Sequence, residues 1–387
     1  EKQSQTMQEK FKSYMNRCNQ ISGTIATKKT KQSKDFKNYL EFVEPYIKDS
    51  SEEIANWLKT HQDGPLISIV MPTYNTNPKY LRECIESVKS QIYPYWELCI
   101  SDDNSTNEAI KEILRKYSLE DKRIKVYFRE QNGHICKATN DALKLAKGDY
   151  ISLLDHDDKL TIDALYYIAK TILKNPNADL IYSDEDKINE NNQRSSPHFK
   201  PSFNIDLLLA YNYISHLGTY RRSIIERIKG FRPGLEGSQD HDLALRFIRE
   251  INPENIIHIP RILYHWRMHS ESTASSPDSK DYTSQRGLKA IQDYLKTSNN
   301  RNEQQCTVRC VAPNRFRVNW PVENEVSVEL IIPTRDKAEI LEVAVNSIIE
   351  KTTYRNYSIT IMNNESQEED TYKLFNELTT KYPEKIK

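Results

Sequence analysis

The sequence predicts an α/β protein built on a doubly wound, mostly parallel sheet. Three observations carry that prediction. Short apolar strands alternate with amphipathic helices from residue 66 onward, the pattern of parallel strands joined by helical crossovers. The first strand, Leu66-Ile-Ser-Ile-Val-Met71, is apolar on both faces, as a central parallel strand is. Three strands end in polar clusters, Thr73–Asn75, Asp102–Ser105 and Asp155–Asp158, and such sheets bind ligands at the carboxyl ends of their strands.

Composition narrows the function classes. The chain of 387 residues balances 55 basic against 55 acidic side chains, so no global field favours nucleic acid. No apolar run approaches the roughly 18 residues that span a bilayer. No signal-peptide pattern opens the sequence, so a cytoplasmic protein is expected, with peripheral attachment at the inner face of the plasma membrane left open. The six cysteines are scattered, and Cys306-x-x-x-Cys310 lacks a second ligand pair, which argues for reduced thiols and against zinc.

Residues 1–62 are polar and lysine-rich, with apolar residues at helical spacing (Phe11, Tyr14 and Met15; Phe36, Tyr39, Leu40 and Val43; Ile54, Trp57 and Leu58). They predict a helical extension, in the plainest reading solvated, with packing on the main domain, self-association or contact with a membrane surface as the alternatives. Gly64-Pro65 marks the next boundary. After Leu66–Met71 comes a helix carrying Leu81, Cys84, Ile85 and Val88, then the strand Trp96–Ile100, then a helix with Ile110, Ile113, Leu114 and Tyr117. The strand Ile124–Phe128 and a glycine loop at Gly133 lead into a helix with Ala138, Asn140, Ala142 and Leu143. No glycine-rich dinucleotide fingerprint or P-loop is present.

The chain then reaches Gly148-Asp-Tyr-Ile-Ser-Leu-Leu-Asp155-His156-Asp157-Asp158. Neighbouring carboxylates raise each other's pKa unless a cation neutralises them. Asp155 and Asp157 alternate and can reach one Mg2+ or Mn2+ ion, for which oxygen ligands are suited. The plainer alternative is an acidic turn capping the helix after Leu160. A second acidic strand end, Ser183-Asp184-Glu185-Asp186, is open to three readings: sugar contact through Asp184 and Glu185, a rival metal site, or a bland turn.

Taken together, these residues resemble glycosyltransferase family 2, inverting enzymes with a GT-A fold. The resemblance spans about residues 66–300. It rests on Val70-Met-Pro72-Thr73-Tyr74-Asn75, Ser101-Asp102-Asp103-Asn104-Ser105, Asn132-Gly133 with Ala138-x-Asn140, Leu154–Asp158, and Gly237-Ser-Gln239-Asp240-His-Asp242-Leu-x-Leu-Arg246. Tyr182–Lys187, Phe199-Lys-Pro201 and His265-Trp266-Arg267-x-His269 are similar to bacterial enzymes that build O-antigens and capsules. The resemblance implies that Pro72, Thr73, Tyr74, Asn75, Asp102, Asp103, Gly133, Asn140, Asp155 and His156 line the donor nucleotide. Lys137 faces either phosphate or solvent. The resemblance also implies a metal held by Asp155 and Asp157 with His269 or His265. Asp240 would be the catalytic base, and Gln239 and Arg246 would make acceptor or sugar contacts. Apart from the resemblance, the aromatic-rich segment Tyr211-Asn-Tyr213-Ile-Ser-His216 and Trp266 offer faces for a sugar ring, with core packing the plainer reading of most tyrosines. Gln239 departs from the family's usual Glu, and Asp242 is expected to support the helix dipole.

Residues after Val326 repeat the first strands: Glu329-Leu-Ile-Ile-Pro333-Thr334-Arg335-Asp336 matches Ser68–Asn75, and Ile359–Ser366 matches Leu98–Ser105 at the same offset. Asn363-Asn364 stands where Asp102-Asp103 does. The predicted organisation is therefore a helical extension (1–62), a GT-A domain (63–300), a connector (301–325) and the start of a second such domain (326–387). The expected activity is metal-dependent transfer of a sugar from a UDP- or dTDP-sugar to a hydroxyl of a growing, lipid-linked glycan. A non-catalytic glycan-binding scaffold and a sugar nucleotidyltransferase are the rival readings.

Overall fold

The computed structural model describes residues 34–268, 277–298, 301–322 and 326–387. They form two compact units, a first ending at Asn319 and a second over Trp320–Lys387. The predicted helices around Phe11 and Tyr14, and His269, lie outside the described residues.

The first unit is organised by one sheet. Its strands are β1 (Ile67–Thr73), β2 (Trp96–Asp102), β3 (Ile124–Phe128), β4 (Tyr150–Leu153), β5 (Lys159–Leu160), β6 (Leu180–Ile188), β7 (Arg194–His198), β8 (Gly218–Arg221) and β9 (Ile256–Arg267). The order is β3-β2-β1-β4-β8-β6-β9-β5, with β7 added on β6. β1 pairs in parallel with β2 and β4, β2 with β3, and β6 with β9. β8 is antiparallel to both β4 and β6, so those two still point the same way. The sheet is thus mostly parallel, and the carboxyl ends of β1, β2, β4, β6 and β9 share one edge. Because β8 runs backward, its amino end reaches that edge as well.

Local sequence explains the helices over this sheet. Before α4 (Pro78–Lys89), the Asn77 side chain accepts from the Lys79 N–H, and Pro78 fits a first helical turn. Leu81, Cys84, Ile85 and Val88 then fall on its buried face. Asn107 caps α5 (Glu108–Glu120) in the same way, and Ile110, Ile113, Leu114 and Tyr117 are buried. α6 (His134–Leu145) starts at Gly133, and α10 (Gln239–Ile248) carries Asp240 and Asp242 in its first turn. Between them lie α7 (Ala164–Lys174), α8 (Ile205–Ala210) and α9 (Arg222–Arg227).

The described part of the segment before β1 packs on the main domain, one of the expected alternatives, in place of the solvated extension that its polarity favoured. α1 (Lys34–Asn38), a π-helical turn (Tyr39–Val43) and α2 (Glu44–Ile47) bury Phe36, Tyr39 and Val43 against Ile262. α3 (Ser51–Thr60) opens with a Ser50–Glu53 capping box and lays Ile54, Trp57 and Leu58 on the main core. These two small apolar groups dock the described part of the segment, while Phe42 and Tyr46 stay exposed.

The expected connector is also mostly part of the first unit. It forms a hairpin, β10 (Thr307–Ala312) with β11 (Arg315–Asn319), whose Val308, Phe316 and Val318 join the second core cluster. Phe316 packs onto Gly287 of α11 (Pro277–Lys296), where an added Cβ would come within 2.7 Å of the ring.

The second unit holds β12 (Val328–Thr334), α12 (Ala338–Lys351), β13 (Tyr357–Asn363) and α13 (Glu369–Lys381), with β12 and β13 parallel. Among the described residues, no helix is long and apolar enough to cross a membrane.

Candidate active site

The sheet edge collects the polar strand ends, and most of them first bind one another. Asp102 is fully buried and accepts from Ser105 through the backbone N–H (3.0 Å) and the hydroxyl (2.5 Å). The Ser105 hydroxyl accepts from the Asn75 N–H at 2.9 Å, and the Asn75 side chain accepts from the N–H groups of Thr106 and Asn107. Asn75 sits at φ 41°, a left-handed conformation that Asn tolerates. Asp102 and Asn75 therefore lock the two loops together, whereas the family resemblance had implied that they line the donor nucleotide. Thr73 is buried and Tyr74 is exposed at the end of β1.

Asp103 is the next carboxylate, buried and outside the lock. Its Oδ1 accepts from Arg129 and from the Gly133 N–H, both at 2.8 Å. Burial raises its pKa, and these donors only partly offset that. A Cβ on Gly133 would lie 2.5 Å from the Arg129 guanidinium, so the glycine is what lets Arg129 reach Asp103. Lys137 is exposed beside this turn. Asn140 bonds both ways with the Phe231 backbone at 2.8 Å and so braces a loop, which takes it out of the expected nucleotide contacts.

The acidic loop after β4 divides its labour. Asp158, the residue that sequence reading left unassigned, is fully buried and accepts from the Arg267 N–H (2.6 Å) and the Tyr264 hydroxyl (2.5 Å). Burial, then Asp157 and Asp155, push its pKa well up. Asp155 keeps 43 % of its side chain exposed toward the edge. Crowding by the protein on its other side and then the Asp157 charge raise its pKa, while His216 and His156 pull it down. His156 bonds through Nδ1 to the Pro72 carbonyl at 3.1 Å, which ties this loop to β1.

His216 joins Asp155 and Asp158, although sequence reading had placed it only in an aromatic-rich stretch. The three residues have ligand atoms all within 4.8 Å of one another. His216 Nε2 lies 4.0 Å from Asp155 Oδ2, too long for a hydrogen bond and short enough for one ion between them. The ring stacks on Tyr264 (centroids 4.4 Å, 10°) with Trp266 against its edge at 5.7 Å. Its backbone is bracketed as well: Glu185 accepts its N–H at 3.2 Å, and buried Lys200 donates to its carbonyl. Carboxylate oxygens with an imidazole suit a hard divalent cation such as Mn2+ or Mg2+.

His265 does not take part. Tyr264 and Trp266 face His216, so strand alternation turns His265 to the opposite side, where Nδ1 meets Asp186 at 2.5 Å. Asp186 also binds Arg194, which pairs with Glu44 of the docked amino-terminal segment. The other acids of β6 are engaged too. Asp184 accepts from the Lys200 N–H and from His258, both at 2.8 Å. Burial would raise Glu185, but Lys200 at 3.1 Å with His198 and His216 holds it well below the carboxylate range. Asp184 and Glu185 are thus internal supports, and the expected sugar contacts are not theirs. Asp157 falls outside the converging trio; its carbonyl accepts from Arg267 Nε at 2.8 Å.

Asp240 faces the same edge from the first turn of α10. Burial and then the Asp155 charge raise its pKa to about 6, against pulls from His216 and from the Gln239 amide, which donates to Asp240 at 3.1 Å. Gln239 is buried, and its amide holds the carboxylate in place. Asp242 points inward to Arg232 and Arg246, and Arg246 also donates to the carbonyls of Ile228 and Gly230. Arg246 is therefore spent inside the fold, away from any acceptor, and Asp242 is a buried ion-pair centre as well as a residue of the first helical turn.

Residues 68–229 match the family described as "Glycosyl transferase family 2". These residues form a glycosyltransferase family 2 domain. The chain is 43 % identical over 325 residues to uncharacterized protein y4gI of Sinorhizobium fredii, covering 84 % of this chain and 36 % of that one. It is 34 % identical over 310 residues to the O-antigen biosynthesis protein RfbC of Myxococcus xanthus, covering 80 % and 24 %. The chain thus spans about a third and a quarter of the lengths of these two relatives. The structure of S. aureus TarS residues 1–349 with UDP-GlcNAc superposes with a TM-score of 0.51 at 22 % identity, over 61 % of this chain and 68 % of that one, and shows that the family 2 domain has the GT-A fold.

Proposed function

We propose that the family 2 domain is a metal-dependent, inverting glycosyltransferase of bacterial polysaccharide synthesis. It moves a sugar from a nucleotide diphosphate to a glycan hydroxyl. The observation that carries this reading is the convergence of Asp240, Asp155 and His216 at one sheet edge, where the Asp155 charge raises the pKa of Asp240 and His216 pulls both carboxyls down. Asp103, held by Arg129 and Gly133, accepts the N–H of a uracil or thymine ring. Asp155, His216 and, behind them, Asp158 would hold Mn2+ or Mg2+, which when bound offsets charge on the departing diphosphate. Asp240 takes the proton of the acceptor hydroxyl as that oxygen attacks the anomeric carbon from the face opposite the leaving group. Trp266, beside His216, supplies an aromatic face for a sugar ring.

The relation to RfbC favours a surface-glycan acceptor, and lipid linkage of that acceptor belongs to the same proposal. UDP, the nucleotide part of the donor in the TarS complex, is the first probe. Calorimetry with UDP and dTDP, with and without Mn2+, is expected to show metal-dependent binding that Asp155→Ala removes. Absence of binding to UDP, dTDP, GDP and CMP alike would move the assignment to a glycan-binding scaffold.

A further inference from the structure

We propose that Arg267 is the positioning residue of the acidic loop, holding Asp155–Asp158 in a cation-ready arrangement from the far side of the sheet edge. This inference rests on the metal site of the proposed function. It starts from a cost: the Arg267 side chain is fully buried, and a buried guanidinium needs both a counter-charge and partners for its N–H groups. It has them from three directions. Nε donates to the Asp157 carbonyl at 2.8 Å. One terminal nitrogen donates to Glu83 of α4 at 2.6 Å and to Asn192 at 3.2 Å, and the other reaches the Asn189 carbonyl at 3.3 Å. The ring of Tyr80 lies 4.4 Å from the guanidinium carbon.

The backbone of the same residue finishes the clamp, because its N–H donates to Asp158 Oδ1. Arg267 therefore grips two successive loop residues, one through its side chain and one through its backbone. Tyr264, three residues earlier on β9, grips the loop again: its hydroxyl accepts from the Asp155 N–H at 3.3 Å and donates to Asp158. Three carboxylates in four residues repel one another. Without a fixed cation behind them, the loop would spread before any metal arrived. Arg267 supplies that cation without occupying the edge, since Glu83, Asn189 and Asn192 hold it on α4 and the β6–β7 turn. Lysine offers a point charge without the planar fork and cannot join these partners at once.

The test reads Mn2+ binding to the protein alone by electron paramagnetic resonance, for wild type, Arg267→Lys and Glu83→Gln, with melting temperatures alongside. Residues that orient metal ligands typically change metal affinity about 10–100-fold. Arg267→Lys is expected to weaken Mn2+ binding by that factor, and Glu83→Gln to weaken it less. An unchanged Mn2+ affinity with a lowered melting temperature would reduce Arg267 to a fold-stabilising residue and overturn the proposal. If Arg267→Lys does not fold, Glu83→Gln decides by the same criterion. Absence of Mn2+ binding by the wild type would overturn both this proposal and the metal site. Mn2+ binding without nucleotide binding would leave Arg267 in place and remove the transferase reading.

Discussion

The chain contains one strand-end device twice, and the two copies differ where chemistry would be expected. In the first unit, β1 and β2 pair from Ile67↔Trp96 to Thr73↔Asp102; in the second, β12 and β13 pair from Val328↔Tyr357 to Thr334↔Asn363. The Asp103 N–H donates to the Thr73 carbonyl at 2.8 Å, and the Asn364 N–H to the Thr334 carbonyl at 2.8 Å. Ser105 accepts from the Asn75 N–H and Ser366 from the Asp336 N–H, both at 2.9 Å. The lock keeps one carboxylate and one amide in each copy but swaps them: Asn75 with Asp102, and Asp336 with Asn363. The comparison teaches that the loop geometry depends on acceptor oxygens at two positions, whichever of the two bears charge. What the second copy drops is the carboxylate of Asp103, for which it has Asn364. The Asp103 side chain bonds to Arg129 and Gly133 and takes no part in the lock, so its replacement leaves the lock intact.

The largest expected effect lies outside the shared device. Asp240→Asn should lower kcat by about 10²–10⁴-fold at saturating donor, read by nucleotide release. A change of less than about tenfold would return the base role to another group. The same carboxyl gives the pH dependence. A base with a pKa of about 6 is inactive when protonated, so kcat should rise with pH through about 6 and level off above it. A profile flat across that range would separate Asp240 from the rate.

Converting the first copy toward the second comes next. Asp103→Asn removes the charge that accepts the base N–H, and UDP affinity should fall by about tenfold or more by calorimetry. Unchanged affinity would mean that the Asp/Asn difference between the copies carries no binding function. The smallest effect tests the lock itself. Asn75→Ala exposes the Thr106 and Asn107 N–H groups and should cost about 1 kcal/mol in urea unfolding. Asp336→Ala should act in the same direction on the second unit and leave UDP affinity untouched. The Gln367 and Glu368 N–H groups hold Asp336 below its ordinary pKa. That contribution is present at neutral pH and is lost as pH falls through the lowered value, which amide chemical shifts of residues 367 and 368 would follow. The Asn75 contact with Thr106 and Asn107 has no such titration.

The alternation of strands and amphipathic helices was readable because burial on one helix face leaves a periodic signal, as in Leu81, Cys84, Ile85 and Val88. The repeat was readable because identical offsets need no structure. The position of Asp240 at the start of a helix was readable from its motif, and burial with the Asp155 charge raises its pKa there. His216 was not. Sequence reading looked to the carboxyl ends of strands, and His216 enters the edge at the amino end of β8, a strand whose antiparallel course nothing local announces. His265 was misplaced for the complementary reason. Its motif suggested a ligand, while alternation along β9 decided which of His265 and its neighbours faces the edge.

Taken by itself, the sequence determined the fold class, the family, the repeated strand-end device and the residues rich enough in carboxylate to hold a cation, because these depend on local periodicity and on residue chemistry at fixed spacing. Tertiary structure alone decided which of those carboxylates are spent. Asp184, Glu185, Asp186 and Asp242 look as available in the sequence as Asp155 and Asp240 do, yet each is buried against a lysine, histidine or arginine from elsewhere in the chain. A buried charge has to find its partner across the fold, and that partner is set by strand order and direction, which adjacent residues do not encode.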